Sequence, residues 1–431
     1  MAIPKNNKDL LQSPKGTRDI SGDDFYRKQG FFEKAQEICE YYGFSGLETP
    51  AMEYENVFAK GVGAGTDIID KEMYEIKTRG ANKLVLKPEQ TAATMRSYIE
   101  HGMQSQPQPI MWYGQGPRFR HDKPQRGRYR QFYQFDLDIL GSGKPIMDTM
   151  VIHIAYKILG EVAGLDKTTI RINSIGDKDS RKEYSKALTA FYRKNISSIS
   201  AKDRARLSTN PLRVLDSKEP ETVEINKTAP QSIEFLNTVS KKHFRAVLEN
   251  LDELEIPYVI DHTLVRGLDY YTHTVFEFFN ETDNPDEKPL ALGGGGRYDG
   301  LAKSMGHNKE VPAVGFGLGV DRIMEISTAD LSPKVRKSPK VFFIQLGDEA
   351  RMKSMNVIEE LRGANIPIQH SLSKDGLSAQ LGIAEKSDAP YALIFGQKEA
   401  MDGTAIIRTL GERKQKTVKI EDLAKYIKKL K

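Results

Sequence analysis

Three apolar runs constrain the fold of this chain most: PIMWYGQGPRF at 109–119, YRQFYQFDLDILG at 129–141 and TVFEFF at 274–279. Each alternates with a period of two and is rich in aromatic residues, the pattern of strands that present one face to a core. No regular helix separates the first two, so they predict a hairpin and an antiparallel rather than a parallel sheet. The 431 residues, 39% of them hydrophobic, are enough for two or three domains.

Helical periodicity surrounds these strands. Ser21 to Gly43 predicts a helix, with Ser21 and Asp24 as a capping box, Phe25, Phe32 and Cys39 on one face, and Gly43 closing it. FSGLETPAME then predicts a strand that enters a loop at Pro50. Pro88 is expected to open a second helix through Met95 and Ile99, stopped near Gly102. From Asp148, the positions Val151, Ile154, Ala155, Ile158, Leu159 and Val162 follow i, i+3, i+4, i+7 spacing, so a third helix is expected. Residues 178–255 are polar and mostly helical in pattern, which makes them an insertion between two sheet strands.

Pro333, Pro339 and four basic residues mark 331–340 as a linker. Beyond it, VFFIQL, IPIQH, YALIFG and TAIIRTL alternate with helical stretches, and Ile420, Leu423, Ile427 and Leu430 share a face of a final helix. A separate α/β domain with a mixed sheet is expected over 341–431. From Pro333 onward the chain carries 19 Lys/Arg against 12 Asp/Glu, leaving 45 against 47 before it. A basic appendage on a near-neutral body suits a nucleic-acid partner, although a solvated basic surface has the same composition.

Some chemistries are excluded. Cys39 is the only cysteine, so there is no internal disulfide and no cysteine-rich zinc cage. No run reaches the length of a membrane span and the start lacks the apolar core of a secretory signal, which predicts a cytoplasmic protein with no membrane partner. The four glycines of ALGGGGRYDGL at 291–301 are not followed by Gly-Lys-Ser/Thr, so they are not a P-loop; they predict either a backbone open to a flat or phosphate-bearing ligand, beside Arg297 and Tyr298, or a flexible turn. PAVGFGLGVDRIM at 312–324 runs from strand to helix without a dinucleotide fingerprint, and Arg322 sits one turn into that helix.

The densest chemical signal is the loop of the hairpin, where Arg118, Arg120, Lys123, Arg126, Arg128 and Arg130 surround one acid, Asp122. Guanidinium groups on such a loop suit bidentate binding of phosphates, and they equally suit plain solvation. On the returning strand, Gln134, Asp136 and Asp138 point to one face, which is either a solvent edge or a polar site.

In order along the chain, KGTRDI, GFSGLETPAME, the arginine hairpin and PAVGFGLGVDRIM resemble the class II aminoacyl-tRNA synthetase motifs. LVRGLDYY at 264–271 and GGGGRYDGL at 293–301 resemble the two motifs peculiar to the histidyl-tRNA synthetases. The likeness covers the whole chain. It implies an α+β protein: an antiparallel-sheet catalytic domain over 1–330, with 178–255 as its helical insertion, then a C-terminal α/β anticodon-binding domain over 341–431. It also implies a homodimer that uses L-histidine, ATP with Mg2+, and tRNA(His). By motif, Glu89, Gln90, Thr91 and Gln134 fall at the histidine ammonium, and Asp138, Tyr270, Tyr271 and Tyr298 at the imidazole. Arg120 and Arg266 fall at the α-phosphate and the amino-acid carboxylate as the catalytic pair, and Arg128 and Arg322 at ATP; no metal ligand is implied. Synthetase-like regulatory subunits of ATP phosphoribosyltransferase tend to lack the histidine signature and the last domain, and both are present here.

Overall fold

The computed structural model describes residues 11–62, 66, 68–80, 82–125, 127–281, 289–334, 336–412 and 414–430. The chain separates into two compact units, Met1–Pro333 and Lys334–Lys431.

Helix α1, Gly22–Tyr41, leads into β1, Ser45–Gly46. A small sheet follows from β2 (Met52–Tyr54), β3 (Glu75–Ile76) and β4 (Leu84–Leu86), ordered β2-β4-β3, with α2 (Glu55–Val62) between its first two strands. Helix α3, Thr91–Glu100, precedes the hairpin of β5 (Ile110–Phe119) and β6 (Gln131–Leu140). Then come α4 (Pro145–Lys157), β7 (Thr168–Ser174), α5 (Lys178–Lys194), α6 (Ala201–Thr209), α7 (Leu212–Leu215), α8 (Pro220–Asn226), α9 (Thr238–Glu253) and β8 (Tyr258–Ile260). The unit closes with β9 (Thr272–Asn280), β10 (Leu290–Arg297), α10 (Leu301–Ser304), β11 (Ala313–Gly319) and α11 (Val320–Ile326).

Among the described residues, eight strands form the main sheet in the order β1-β5-β6-β11-β10-β9-β7-β8. Its pairs are antiparallel except for the parallel edge pairs β1–β5 and β7–β8. One face buries Phe135, Leu137, Phe276, Phe278 and Val314 against α1 and α4, in a core that includes Phe31, Ala35, Cys39 and Ile154. The other face carries Gln134, Asp136 and Asp138 of β6 and Glu277 of β9.

Several expectations change. Ser21 stands at the start of α1, but its side chain makes no capping bond, and Phe25 is 40% exposed; the buried seam is Phe31, Phe32, Ala35 and Cys39. The second helix begins at Thr91, not Pro88, because the Glu89 carboxylate accepts the amides of Thr91 and Ala92 and so caps it. The strand expected over FSGLETPAME shrinks to Ser45–Gly46. The four glycines form β10 at the centre of the sheet, so the flexible-turn reading falls. Leu331 is buried in the main core and still belongs to the first unit.

The second unit holds β12 (Val341–Leu346), α12 (Asp348–Gly363), β13 (Ile368–His370), α13 (Leu377–Ala384), β14 (Tyr391–Gly396), α14 (Gln397–Asp402), β15 (Thr404–Thr409), β16 (Gln415–Lys419) and α15 (Ile420–Lys429). Its sheet order is β13-β12-β14-β15-β16, parallel in its first pairs and antiparallel in its last, which makes it the expected mixed sheet with one further strand, β16. Among the described residues no helix is long and apolar enough to cross a membrane.

Candidate active site

A cavity of ≈ 610 Å3 opens over the polar face of the main sheet. Arg120, Arg128, Gln134, Arg266 and Arg322 line it, so five residues singled out from four separate segments converge on one space. Sheet geometry explains the convergence. The hairpin brings Arg120 and Gln134 to one end, β11 lies beside β6 with β10 next to it, and α11 leaves the end of β11 with Arg322 in its first turn.

The cavity is cationic and well braced. Arg120 donates through Nε to the Pro88 carbonyl at 2.9 Å and lies 5.2 Å from the Phe132 ring centre. Burial pulls its pKa down, opposed by Glu72 and Glu89. Arg266 is salt-bridged to Glu277 at 3.0 Å. Burial works against its charge, but Glu277 and Tyr271 outweigh it and hold its pKa above the usual value. Arg322 donates to the carbonyls of Gly127 and Ala291 at 3.1 and 2.7 Å, which pins the hairpin tip to β10. Arg128 pairs with Asp122 at 3.1 Å. Two buried polar atoms here, Arg266 Nε and Gln134 Oε1, have no hydrogen-bond partner, the condition of groups whose partner arrives with a ligand.

Beside Arg120 and Arg266 lies a small buried cluster whose side chains do not line the cavity itself. Glu89 accepts the amides of Thr91 and Ala92 at 2.7 and 2.9 Å and the Tyr270 hydroxyl at 3.4 Å. Burial pushes its carboxyl up while those amides pull it down. Tyr298 donates to Asp138 Oδ1 at 2.5 Å. Burial raises the Asp138 carboxyl to about 7; the Tyr298 bond opposes this, and Asp136 and Glu89 add to it. Tyr270 packs on Tyr271 with ring centres 4.7 Å apart and on Tyr298 at 5.7 Å. Two glycines make the cluster possible: a Cβ on Gly315 would lie 2.2 Å from Asp138 Oδ1, and one on Gly294 would lie 2.7 Å from Arg266 Nη1. Those side chains cross directly over neighbouring strands, and only hydrogen fits beneath them.

Not every expected residue faces the cavity. Gln90 is buried and its amide is engaged with Thr49 and Thr94 at 3.2 Å each, so it lies behind α3. Arg118 pairs with Asp136 at 2.6 Å and is buried, a structural pair rather than a free cation. Arg297 is equally buried against Asp148 and Asp299, which corrects the reading of it as a ligand-facing charge beside the glycines. Arg126 lies outside the described residues.

A family model described as histidyl-tRNA synthetase matches residues 16–323. The chain belongs to the histidyl-tRNA synthetase family. A second model, described as an anticodon binding domain, matches residues 340–430. Histidine–tRNA ligase 1 of Shouchella clausii is 38% identical over 419 residues, covering 97% of this chain and 98% of that one. The histidine–tRNA ligase of Staphylococcus carnosus is 37% identical, covering 97% of each. The apo histidyl-tRNA synthetase of S. aureus superposes with a TM-score of 0.79 at 31% identity, over 97% of this chain and all of that one.

Within this histidyl-tRNA synthetase fold, two contributions escape reading from residue patterns. The insertion lends Arg206, Arg213, Asp216 and Lys218 to the cavity wall. Its only signal was a cluster of basic residues in 202–218, which resembles any solvated helix. The KGTRD segment clasps the hairpin: Arg130 donates from its amide to Gly16 O at 2.7 Å, Arg18 pairs with Asp321 at 2.7 Å and covers the Tyr129 ring at 4.3 Å, and Asp321 accepts the Tyr133 amide at 2.6 Å.

Proposed function

We infer that this chain is a histidine–tRNA ligase, which joins L-histidine to ATP as histidyl-adenylate and pyrophosphate and then esterifies histidine to the 3′ end of tRNA(His), releasing AMP. The observation that carries this reading is the convergence of Arg120, Arg128, Arg266 and Arg322 on one cavity, with Arg120 beside Glu89 and Arg266 beside Tyr271 of the buried cluster.

Residue roles follow from chemistry. Glu89, Thr91 and Gln134 receive the histidine ammonium: a buried carboxylate held by two amides keeps lone pairs for a cation, and the unpartnered Gln134 Oε1 accepts a further N–H. Asp138, fixed by Tyr298, accepts an imidazole N–H, and Tyr270 and Tyr271 wall the ring. An apolar mimic would leave these groups unpaired, which is the basis of strong rejection. Gln90 acts behind them by fixing Thr94.

Arg120 and Arg266 flank the α-phosphate. The histidine carboxylate attacks phosphorus in line, a P–O bond forms, and the bond to pyrophosphate breaks with both electrons leaving on oxygen. The two guanidiniums meet the charge that develops, and Arg128 and Arg322 hold the departing phosphates and the nucleotide. The terminal ribose hydroxyl of the tRNA then attacks the carbonyl and AMP departs. Among the described residues no group of three or more His, Cys, Asp or Glu could hold a metal. Glu72 and Glu277 at the cavity wall would be the protein carboxylates toward a Mg2+ ion arriving with ATP, and the ion would supply neutralisation of phosphate charge.

The basic second unit binds the anticodon region, and the protein works in the cytoplasm as a homodimer. Support for the dimer comes from the β1 edge of the main sheet and the exposed Tyr41, Met52 and Tyr54 nearby in sequence. ATP–pyrophosphate exchange with each amino acid separately tests the function. Exchange with histidine alone is expected; none, or a preference for another amino acid, overturns it.

A further inference from the structure

The LVRGLDYY loop carries Arg266, Tyr270 and Tyr271, yet its acid, Asp269, does not line the cavity. It turns the other way, to the insertion. Asn210, at the end of α6, donates to Asp269 Oδ1 at 2.8 Å. Arg181 of α5 donates to the Asp269 carbonyl at 2.8 Å and approaches its carboxylate at 3.7 Å. Arg213 of α7 stands 3.9 Å from the other carboxylate oxygen. Three insertion helices thus meet on one residue placed three positions after Arg266 and one before Tyr270.

Apolar packing repeats the connection. Val265 packs against the insertion's own core, which includes Tyr184, Leu188 and Leu212, and also against the cluster that contains Tyr270, Tyr271 and Tyr298. A third tie runs through Asn173, whose amide donates to the Leu264 carbonyl at 3.1 Å while its oxygen accepts Ser232 of the insertion at 3.1 Å. The loop is thus tied to the insertion at three points, besides its ties to the rest of the unit through Tyr270 to Glu89, Leu264 to Asn173 and Arg266 to Glu277. Arg266 meets the sheet mainly through its bridge to Glu277.

We propose that Asp269 is a positioning residue through which the helical insertion sets Arg266 and the paired tyrosines for adenylation. The insertion then serves the first half-reaction, before any tRNA is bound. A guanidinium displaced by about 1 Å from developing charge loses a large part of its effect, on the order of 10²-fold in rate. The charged groups that hold histidine, Glu89 and Asp138, lie outside the loop, and the loop's Tyr270 and Tyr271 only wall the ring, so the rate is expected to fall further than the affinity.

The inference rests on histidyl-adenylate formation as the reaction, and exchange by the unaltered protein is its first control. Absence of that exchange removes the function itself, whereas normal exchange with unaffected variants removes only this inference. Single-turnover adenylate formation at saturating histidine and ATP is measured for Asp269→Ala, Asp269→Asn, Arg181→Ala and Asn210→Ala, with histidine affinity and thermal unfolding measured in parallel. Asp269→Ala is expected to slow the step roughly 10- to 100-fold while histidine affinity changes less than about threefold. Asp269→Asn, which retains one acceptor, is expected to recover part of the rate. Asn210→Ala in the Asp269→Ala background should add less than about twofold, because the two side chains share one hydrogen bond. Should Asp269→Ala fail to fold, Asn210→Ala and Arg181→Ala carry the test, each expected at roughly 3- to 10-fold in rate. Unchanged rates, a loss confined to histidine affinity, or fully additive effects would overturn it.

Discussion

Replacing Asp138 by asparagine is expected to make the free protein more stable above neutral pH while crippling it as an enzyme. Burial holds the carboxyl near 7 against 3.8 for the free group, so the folded state keeps a proton that the unfolded chain releases. Stability is therefore lost as pH rises from about 4 to about 7, at roughly 1.4 kcal/mol per unit, for a total on the order of 4 kcal/mol. Asparagine has the same shape, still accepts from Tyr298, and does not titrate. The gap in unfolding free energy between Asp138→Asn and the parent should widen in favour of the variant by roughly 3 kcal/mol between pH 5 and pH 8. Trp112, the chain's single tryptophan, is the cross-strand neighbour of residue 138, so its fluorescence in a urea titration follows this unit alone. Histidine binding by the variant should weaken about 10- to 100-fold, the usual loss of a charge-assisted hydrogen bond. A stability gap independent of pH would show that the Asp138 carboxyl is ordinary and the reasoning wrong.

Other expectations follow from the same geometry. Arg266→Ala should cut the adenylation rate by roughly 10²-fold at saturating substrates, with smaller changes in histidine and ATP affinity; rapid-quench assays that find a normal rate with raised substrate requirements would make Arg266 a binding residue. Removing residues 341–431 should impair tRNA charging far more than exchange, and an equal loss in a folded protein would refute the division of labour. Gly315→Ala places a methyl 2.2 Å from Asp138 Oδ1 and 2.5 Å from the Leu137 carbonyl, so it should cost about 1–3 kcal/mol of stability and abolish tight histidine binding. Preserved histidine titration in that variant would show that β6 and β11 can part.

Strand periodicity made the main hairpin and β9 legible because alternation survives wherever one face of a sheet is buried. The face itself was legible too, in Gln134, Asp136 and Asp138, but only neighbouring strands decide whether such a face meets water or a site. The same limit explains Arg118 and Arg297: an arginine near glycines looks identical whether it faces a ligand or a buried aspartate twenty or a hundred and fifty residues away. The glycines of β10 resisted interpretation because glycine signals freedom in a loop and absence of bulk in a sheet, and here the second applies. Phe25 obeyed the seven-residue spacing and yet is exposed in the first turn of its helix, while Phe32 and Cys39 on the same face are buried. The insertion's share in the cavity was invisible, because its cations resemble those of any solvated helix until Asp269 is seen to gather them.

The clasp formed by KGTRD has a consequence for how the protein comes into being. Arg18 must find Asp321 across a sequence separation of 303, and Gly16 must wait for Arg130. A segment made early is thus among the last to find its full place, since Asp321 emerges only after most of the first unit has been made. A nascent chain stalled before α11 would hold a hairpin whose tip lacks the bonds from Arg322 and Glu325. Catalytic competence would then arrive in a single step, late in synthesis, with the emergence of the helix that carries Asp321, Arg322 and Glu325.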